Sequence, residues 1–333
     1  MTHWSIPLIS STSWTPSNLT ILLLSHPNPS SNMTTQTNIS GYLNVHKPIG
    51  ITSMETVRRL KQSLPKKTKV GHAGTLDPLA VGVLPICIGA ATRLMEYAVS
   101  GTKVYIADLK LGYTSDTYDA EGTITPLDPS MTIHQSDIHQ VLKLYIGRIQ
   151  QVPPMYSALK RNGKRLYDLA RAGLEISRPP RPVDIFAIEL LDYSYPSLRL
   201  SVTCGSGVYI RSLASDIGDS LACGAYLTAL TRARSGSFHL SDAILLSDLH
   251  QQDWDYIKPL LKPIDFTLQD LPISRFTDDQ STRLIQGQTI TSHSEGNLSH
   301  LTDYRAYDGD LNFFGITRLI DSVWHPIKMF SKL

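Results

Sequence analysis

Residues 69–89, KVGHAGTLDPLAVGVLPICIG, hold the densest set of unusual positions in the 333-residue chain. Gly71, Gly74, Gly82 and Gly89, with Pro78 and Pro85, interrupt regular structure, so much of this stretch is expected to be loop between short structured pieces. Loops fixed on a scaffold are common seats for reactive groups. Its one carboxylate, Asp77, stands before Pro78, whose ring fixes φ and removes a backbone donor. Two readings stay open. Asp77 is a helix N-cap with Pro78 at the first helical position, or it is a loop carboxylate at a seat where catalytic groups tend to sit. The tripeptide LDP alone favours the cap. Taken singly, His72 reads as a loop residue, Tyr105 as a core tyrosine on an alternating strand, and Arg211 as a surface cation.

Cations gather in two further places. Arg58, Arg59, Lys61, Lys66, Lys67 and Lys69 form a run leading into the Asp77 stretch, and Lys160, Arg161, Lys164 and Arg165 form a second beside Met155 and Tyr156. Such runs are usually solvated faces. The first run's position ahead of the loop favours contact with phosphates. Residues 1–182 carry 19 Lys and Arg against 11 Asp and Glu, whereas 183–333 carry 12 against 18. One basic half beside an acidic half suits a phosphate-bearing partner docking on one side.

Local patterns supply the elements that must position these groups. ITSMETVRRLKQSLP reads as a helix, with Thr52 and Glu55 as a capping box, Met54, Val57, Leu60 and Leu64 as an apolar stripe, and Pro65 as the stop. KVYIADLKLGY (103–113) alternates as a strand with Tyr105, Ala107, Leu109 and Leu111 on one face. Helices are expected at about 136–147, capped by Ser136, and at 163–172, ending at Gly173. IFAIELL and SLRLSVTC read as strands, and VYIRSLASDIGDSLA turns helical after a glycine-containing loop. No βαβ rhythm, GxGxxG or GxxxxGK appears, so the fold class is α+β and not a doubly wound nucleotide binder. From about residue 263 a small, mostly β appendage follows, with Gly287, Gly309 and Gly315 expected in its turns.

Residues 1–40 contain no Asp, Glu, Lys or Arg and are rich in Ser, Thr, Asn and Pro. Such a segment is expected to be disordered, and Met33 is a candidate for the native start. The apolar run Leu19–Leu24 is too short to span a bilayer, for which about 20 residues are needed. It lacks the basic flank of a secretory signal, and the segment lacks the arginines of an organellar transit peptide. Cys87, Cys204 and Cys223 form no CxxC pair, so neither a disulfide framework nor a zinc site is expected. A cytoplasmic location and a chemistry without metal or organic cofactor are the expectations.

Five segments in register resemble the bacterial tRNA pseudouridine synthase B family. They are GYLNVHKPIGITS (41–53), GHAGTLDPLAVGVLP in the Asp77 stretch, KVYIADLKLGYTSDTYDAEG (103–122), VPPMYSALKRNGKRLYDLARAG (152–173) and CGSGVYIRSLASDIGDSLACGAYLTALTRARSG (204–236). The resemblance covers about residues 41–270. It implies a pseudouridine synthase fold, a mixed and mainly antiparallel sheet flanked by helices, with a small β-rich, PUA-like RNA-binding domain behind it. The implied domains are 41–265 and 266–333. The implied activity is isomerisation of uridine-55 in the T-loop of tRNA, with Asp77 as nucleophile, Arg211 pairing with it, and Tyr105 stacking on the base and moving a proton. Tyr209 and Leu230 would line the uracil pocket, Lys47 and Pro48 would support its floor, with a phosphate contact also open to Lys47, and His72 would fill the flipped base's place. The implied partner is the tRNA T-arm, bound by a monomer. A non-catalytic RNA binder has no need of Asp77, Tyr105 and Arg211 together. A synthase guided by a partner RNA would be expected to carry a long extension of basic character, which this sequence does not show. Residues 271–333, with 6 Lys and Arg against 7 Asp and Glu, depart from the family by lacking the basic footprint expected of a tRNA-binding domain.

Overall fold

The computed structural model describes residues 39–127, 132–155, 176–292 and 302–331, and the backbone of 160–161 and 164–165. The extension expected to be disordered lies, apart from residues 39 and 40, outside the described residues. In chain order the main body runs β1 (Gly41–Lys47), α1 (Ser53–Lys61), β2 (Val70–His72), β3 (Ala80–Ile88), α2 (Met95–Ser100) and β4 (Lys103–Leu111). A hairpin of β5 (Tyr113–Ser115) and β6 (Ile124–Pro126) precedes α3 (Gln135–Leu144), β7 (Gly147–Gln151) and the short pair β8 (Lys160–Arg161) and β9 (Lys164–Arg165). Then come β10 (Arg181–Ser194), β11 (Ser197–Cys204), α4 (Ile210–Ser220), β12 (Ala225–Ser235), β13 (Phe238–His239), β14 (Ile244–Leu245), α5 (Leu246–Leu249) and α6 (Trp254–Ile257).

Among the described residues ten of these strands form one mixed sheet in the order β14-β1-β3-β12-β4-β11-β10-β7, with β2 on β3 and β13 on β12. Most pairings are antiparallel, and β12 with β3 and β1 with β14 are parallel. Alternation sets the faces: Leu198, Leu200, Val202 and Cys204 of β11 point into the core. On α4 the buried stripe is Leu213, Ala214 and Ile217, and it packs on the sheet's inner face in one continuous core. Val57 and Leu60 of α1 join that core, each burial stabilising by roughly 1.5–3 kcal/mol.

The described helices and strands follow the sequence reading in outline, with several differences; Met54, expected in the apolar stripe of α1, is exposed. Ala80–Ile88 is a continuous strand despite Gly82 and Pro85, so the Asp77 stretch is less loop than its composition suggests. Gly82 adopts φ +100°, and a Cβ there would lie 2.5 Å from the Arg232 carbonyl oxygen of the adjacent strand. Glycine is what lets β3 and β12 approach so closely. Thr52 caps α1 by accepting from the Glu55 N–H, but the Glu55 carboxylate turns to Arg58 and Arg59 instead of closing the box. Helix α3 is capped by His134, with Asp137 returning a bond to the His134 N–H, and not by Ser136. The helix expected at 163–172 lies largely outside the described residues, and Lys164–Arg165 pairs as β9 with β8.

A second sheet follows, in the order β15 (Ile273–Arg275), β17 (Asp303–Tyr307), β18 (Phe313–Ile320), β19 (Val323–Met329) and β16 (Ile290–Thr291), with α7 (Asp278–Ile285) against it. Gly287 and Gly309 sit at turns, as expected. Gly315 lies within β18, where a Cβ would meet the Lys328 carbonyl oxygen at 2.5 Å. Phe276, Leu284 and Trp324 form this sheet's own core, while Phe313, Ile316 and Phe330 join Tyr42, Val83 and Leu94 of the main body. Tyr97 donates to Asp303 (3.0 Å) across the same junction, and Arg93 stands over the Phe330 ring.

Candidate active site

Asp77 sits in a turn closed by the Ala80 N–H donating to its carbonyl (3.1 Å), and residue 80 already begins β3. No helix starts at Pro78, so the capping role falls away and the carboxylate is left for other partners. The turn is pinned from both sides. Ser53 donates to the Leu76 carbonyl (3.0 Å) and accepts from the Leu76 N–H (2.8 Å). Lys47, fully buried at the end of β1, donates to the carbonyls of Pro48 (2.8 Å), Ile51 (2.7 Å) and Pro78 (3.2 Å).

The first turn of α4 brings Arg211 to this point. Its Nε lies 2.9 Å from Asp77 Oδ2, its Nη1 3.1 Å from Asp119 Oδ2, and Nη1 also donates to the Thr117 carbonyl at 3.4 Å. The Arg211 side chain is 5% exposed, that of Asp119 2%, and that of Asp77 34%. Only Asp77 therefore offers an oxygen to the cleft. Asp119 is fixed in the turn between β5 and β6, accepting from Thr117 Oγ1 (2.6 Å) and from the Glu121 N–H (3.0 Å). Burial pushes the Asp77 carboxyl above its ordinary value, the Arg211 guanidinium pulls it back, and the Asp119 carboxylate pushes it up again. Burial also lowers Lys47 to about 8, opposed by the Asp77 charge.

Asp77 opens into a cleft of about 300 Å³ lined by Gly74–Asp77, Tyr105, Tyr209, Arg211 and Leu230 among others. Tyr105, the third residue of β4, stands opposite Arg232 of β12. Burial raises the Tyr105 hydroxyl above its ordinary value, with the Arg232 guanidinium opposing, so the phenol stays protonated near neutrality. Two tyrosines and a leucine around one carboxylate make a slot for a flat ring.

Two profiles of known families match the chain in succession. TruB family pseudouridylate synthase (N terminal domain) covers residues 61–210, and the tRNA pseudouridylate synthase B C-terminal domain covers 211–269. A curated protein of Dehalococcoides mccartyi named tRNA pseudouridine synthase B is 40% identical over 296 residues, 88% of this chain and 97% of that protein. Its namesake in Clostridium acetobutylicum is 41% identical over 88% of this chain and 100% of its own. The chain belongs to the TruB pseudouridylate synthase family. It is thus an enzyme of the pseudouridine synthase class. Its fold is shared with a chain in the crystal structure of a Cbf5–Nop10–Gar1 complex (TM-score 0.66, 23% identity, 88% of this chain and 85% of the other). A chain in a structure of an H/ACA RNP bound to a substrate RNA containing 2′-deoxyuridine is similar too (TM-score 0.64, 21% identity, 90% and 92% covered).

The structure of this TruB-family chain gathers Asp77, Tyr105, Tyr209, Arg211 and Leu230 around one cleft, and leaves three other expected residues off its lining. Lys47 is spent on three carbonyls and buried, so it holds the loops beneath Asp77 and does not reach out to a phosphate. Pro48 lines a separate hollow with His46, Arg59 and His250. His72 ends β2, with its Nδ1 buried and without a hydrogen-bond partner, and burial lowers its imidazole below the ordinary value. Of the first basic run, Arg58 and Arg59 are paired with Glu55. The side chains of the second run lie outside the described residues.

Four polar residues that shape the cleft escaped the sequence reading. Asp119 carries the second carboxylate on Arg211; its signal was the Thr-x-Asp-x-x-Gly turn at 117–122. Arg232, 1% exposed, donates to the carbonyls of Val83 (2.7 Å), Gly74 (3.0 Å) and Thr75 (3.4 Å) and so fixes the cleft wall before Asp77. Lys103 donates to Ser206 Oγ (2.8 Å) and to the carbonyls of Val99 and Gly101. Gln151 bonds the backbone of Tyr209. Among the described residues no three His, Cys, Asp or Glu gather as a metal site, the three cysteines are buried thiols, and no helix is long and apolar enough to cross a membrane.

Proposed function

We propose that this protein converts one uridine in the T-loop of tRNA, uridine-55, to pseudouridine, with Asp77 as nucleophile. The observation that carries the proposal is the Asp77–Arg211 pair at 2.9 Å, opening on a cleft walled by Tyr105, Tyr209 and Leu230. The name of the curated relatives, matched over nearly their whole length, supports tRNA as the substrate.

The reaction breaks the N1–C1′ bond, turns the uracil and forms a C5–C1′ bond, so the C5 proton leaves and N1 gains one. It needs no energy source. Asp77 attacks the nucleotide as a carboxylate and holds it covalently while the base turns. Arg211 keeps that carboxylate ionised and aimed, and Asp119 fixes Arg211 from behind. Tyr105 stacks on the base, and its protonated hydroxyl is placed to move a proton. Tyr209 and Leu230 hold the ring's other faces. A base inside a folded T-loop must be flipped out, at a cost of a few kcal/mol, and His72 fills its place.

In this reading residues 41–265 are the catalytic domain and 266–333 a PUA-like RNA-binding domain, and the protein acts as a monomer on T-arm shape. The test is to incubate an unmodified T-arm hairpin with the protein and map pseudouridine by position. Modification at uridine-55 alone is expected. Modification elsewhere in the hairpin, or none without an added RNA, would refute the assignment.

A further inference from the structure

The start of α4 lacks a side-chain cap of its own: Tyr209 occupies the N-cap position and its side chain caps nothing. A residue from another strand does that work. Gln151, the last residue of β7 and 1% exposed, accepts from the Tyr209 N–H through Oε1 (2.8 Å) and donates through Nε2 to the Tyr209 carbonyl (3.1 Å). Both backbone groups of a single residue are thus held by one amide. The same carbonyl accepts the Leu213 N–H (3.0 Å), so the amide acts on the first hydrogen bond of the helix. Two residues further on, Arg211 leaves that turn for Asp77 and Asp119.

From this geometry we infer that Gln151 is a positioning residue for the reaction, one that sets both the Tyr209 wall and the aim of Arg211. A carboxamide is suited to the place because it offers an acceptor and a donor at once, with no charge to desolvate. The inference rests on the Asp77–Arg211 reading and adds to it. The neighbouring tie, Ser212 Oγ donating to the Val152 carbonyl (3.0 Å), joins α4 to the residue just after β7 without touching Tyr209. It supplies the control.

The consequence is electrostatic as well as steric. Asp77 is faced by Arg211 from α4, Asp119 and Glu121 from the turn after β5, Lys47 from β1 and Tyr105 from β4. Of these, Arg211 is the main group holding the carboxyl down against burial. Loosening Arg211 moves the Asp77 carboxyl further up, and the acid limb of the reaction moves with it. A sub-ångström shift of the arginine is enough, since displacement of about 1 Å costs up to 10²-fold in rate.

The test compares Gln151→Met, which keeps the side chain's volume and removes both hydrogen bonds, with Ser212→Ala and Asp77→Asn in the full chain. Single-turnover rates on T-arm RNA are measured from pH 5 to 8 beside RNA affinity and thermal melting. We expect Gln151→Met to be at least tenfold slower, with its acid limb displaced to higher pH and RNA affinity within threefold of the parent. Ser212→Ala should show a similar melting change with no displacement. A lowered melting temperature in Gln151→Met with the parental rate and pH profile would overturn the inference. Should Gln151→Met not fold, Gln151→Glu retains the acceptor for the Tyr209 N–H, and a parental rate and profile there would overturn it equally. Turnover by Asp77→Asn would instead count against the nucleophile itself, so the two failures are distinguishable.

Discussion

Arg211→Lys keeps the positive charge and removes the fork. In the parent, Nε serves Asp77 at 2.9 Å while Nη1 serves Asp119 at 3.1 Å, with both donors on one rigid plane. A lysine ammonium is a single point and cannot occupy both positions. One buried carboxylate then loses a charge-assisted hydrogen bond, worth about 1.5–3 kcal/mol. Asp119, 2% exposed and held by two other donors, keeps its place; Asp77, the more exposed, is the one released. If that loss falls on the transition state, single-turnover pseudouridylation slows by about ten- to a hundredfold, at roughly 1.4 kcal/mol per tenfold. The acid limb should also rise, because the main group lowering the Asp77 carboxyl has moved away. The assay is release of tritium from RNA carrying 5-tritiated uridine, since C5 loses its hydrogen as it becomes the glycosidic carbon. A rate and pH profile within twofold of the parent would refute the claim that the planar fork matters.

Other outcomes follow from the same geometry. The parent's own rate should fall with decreasing pH above the ordinary carboxylate range, because the Asp77 carboxyl is raised by burial and must be ionised to react; an inflection below about pH 4, the ordinary aspartate value, would contradict this. Tyr105→Phe should keep RNA affinity, since the ring is retained, and lose at least tenfold in rate; an unchanged rate would confine Tyr105 to stacking. Gly82→Ala places a Cβ against the Arg232 carbonyl at a φ of +100°, and should lower unfolding free energy by about 1–3 kcal/mol in a denaturant melt. An unchanged midpoint would mean that β3 and β12 separate at no cost. Lys47→Met should likewise lower the midpoint, since three carbonyls lose their donor.

Much of the cleft was legible because its residues sit in short, ordered motifs. Asp77, Tyr105, Tyr209, Arg211 and Leu230 come from three separate segments, and the cleft draws on all three. What stayed hidden are residues whose partners are backbone groups distant in sequence. Arg232 donates to carbonyls about 150 residues away, and in TRARS it looks like any strand cation. Gln151 sits at the end of β7 with nothing in its own segment to mark it. Lys47 had a motif, but only burial tells a carbonyl clamp from a phosphate contact. The strand at 80–88 was obscured for a related reason. Gly82 and Pro85 read locally as breakers, yet the glycine is required by the close approach of β12, a tertiary fact. The capping choice at Asp77 could be settled only by seeing that Ala80 enters a strand.

The most direct measurement is pseudouridine formation by Asp77→Asn under single-turnover conditions on unmodified tRNA, with RNA affinity measured in the same preparation. The amide keeps the side chain's shape and hydrogen-bonding reach while removing its ability to attack. No product above background, with tRNA binding preserved, is the expected result. Turnover within tenfold of the parent would contradict the central claim that this carboxylate bonds to the uridine.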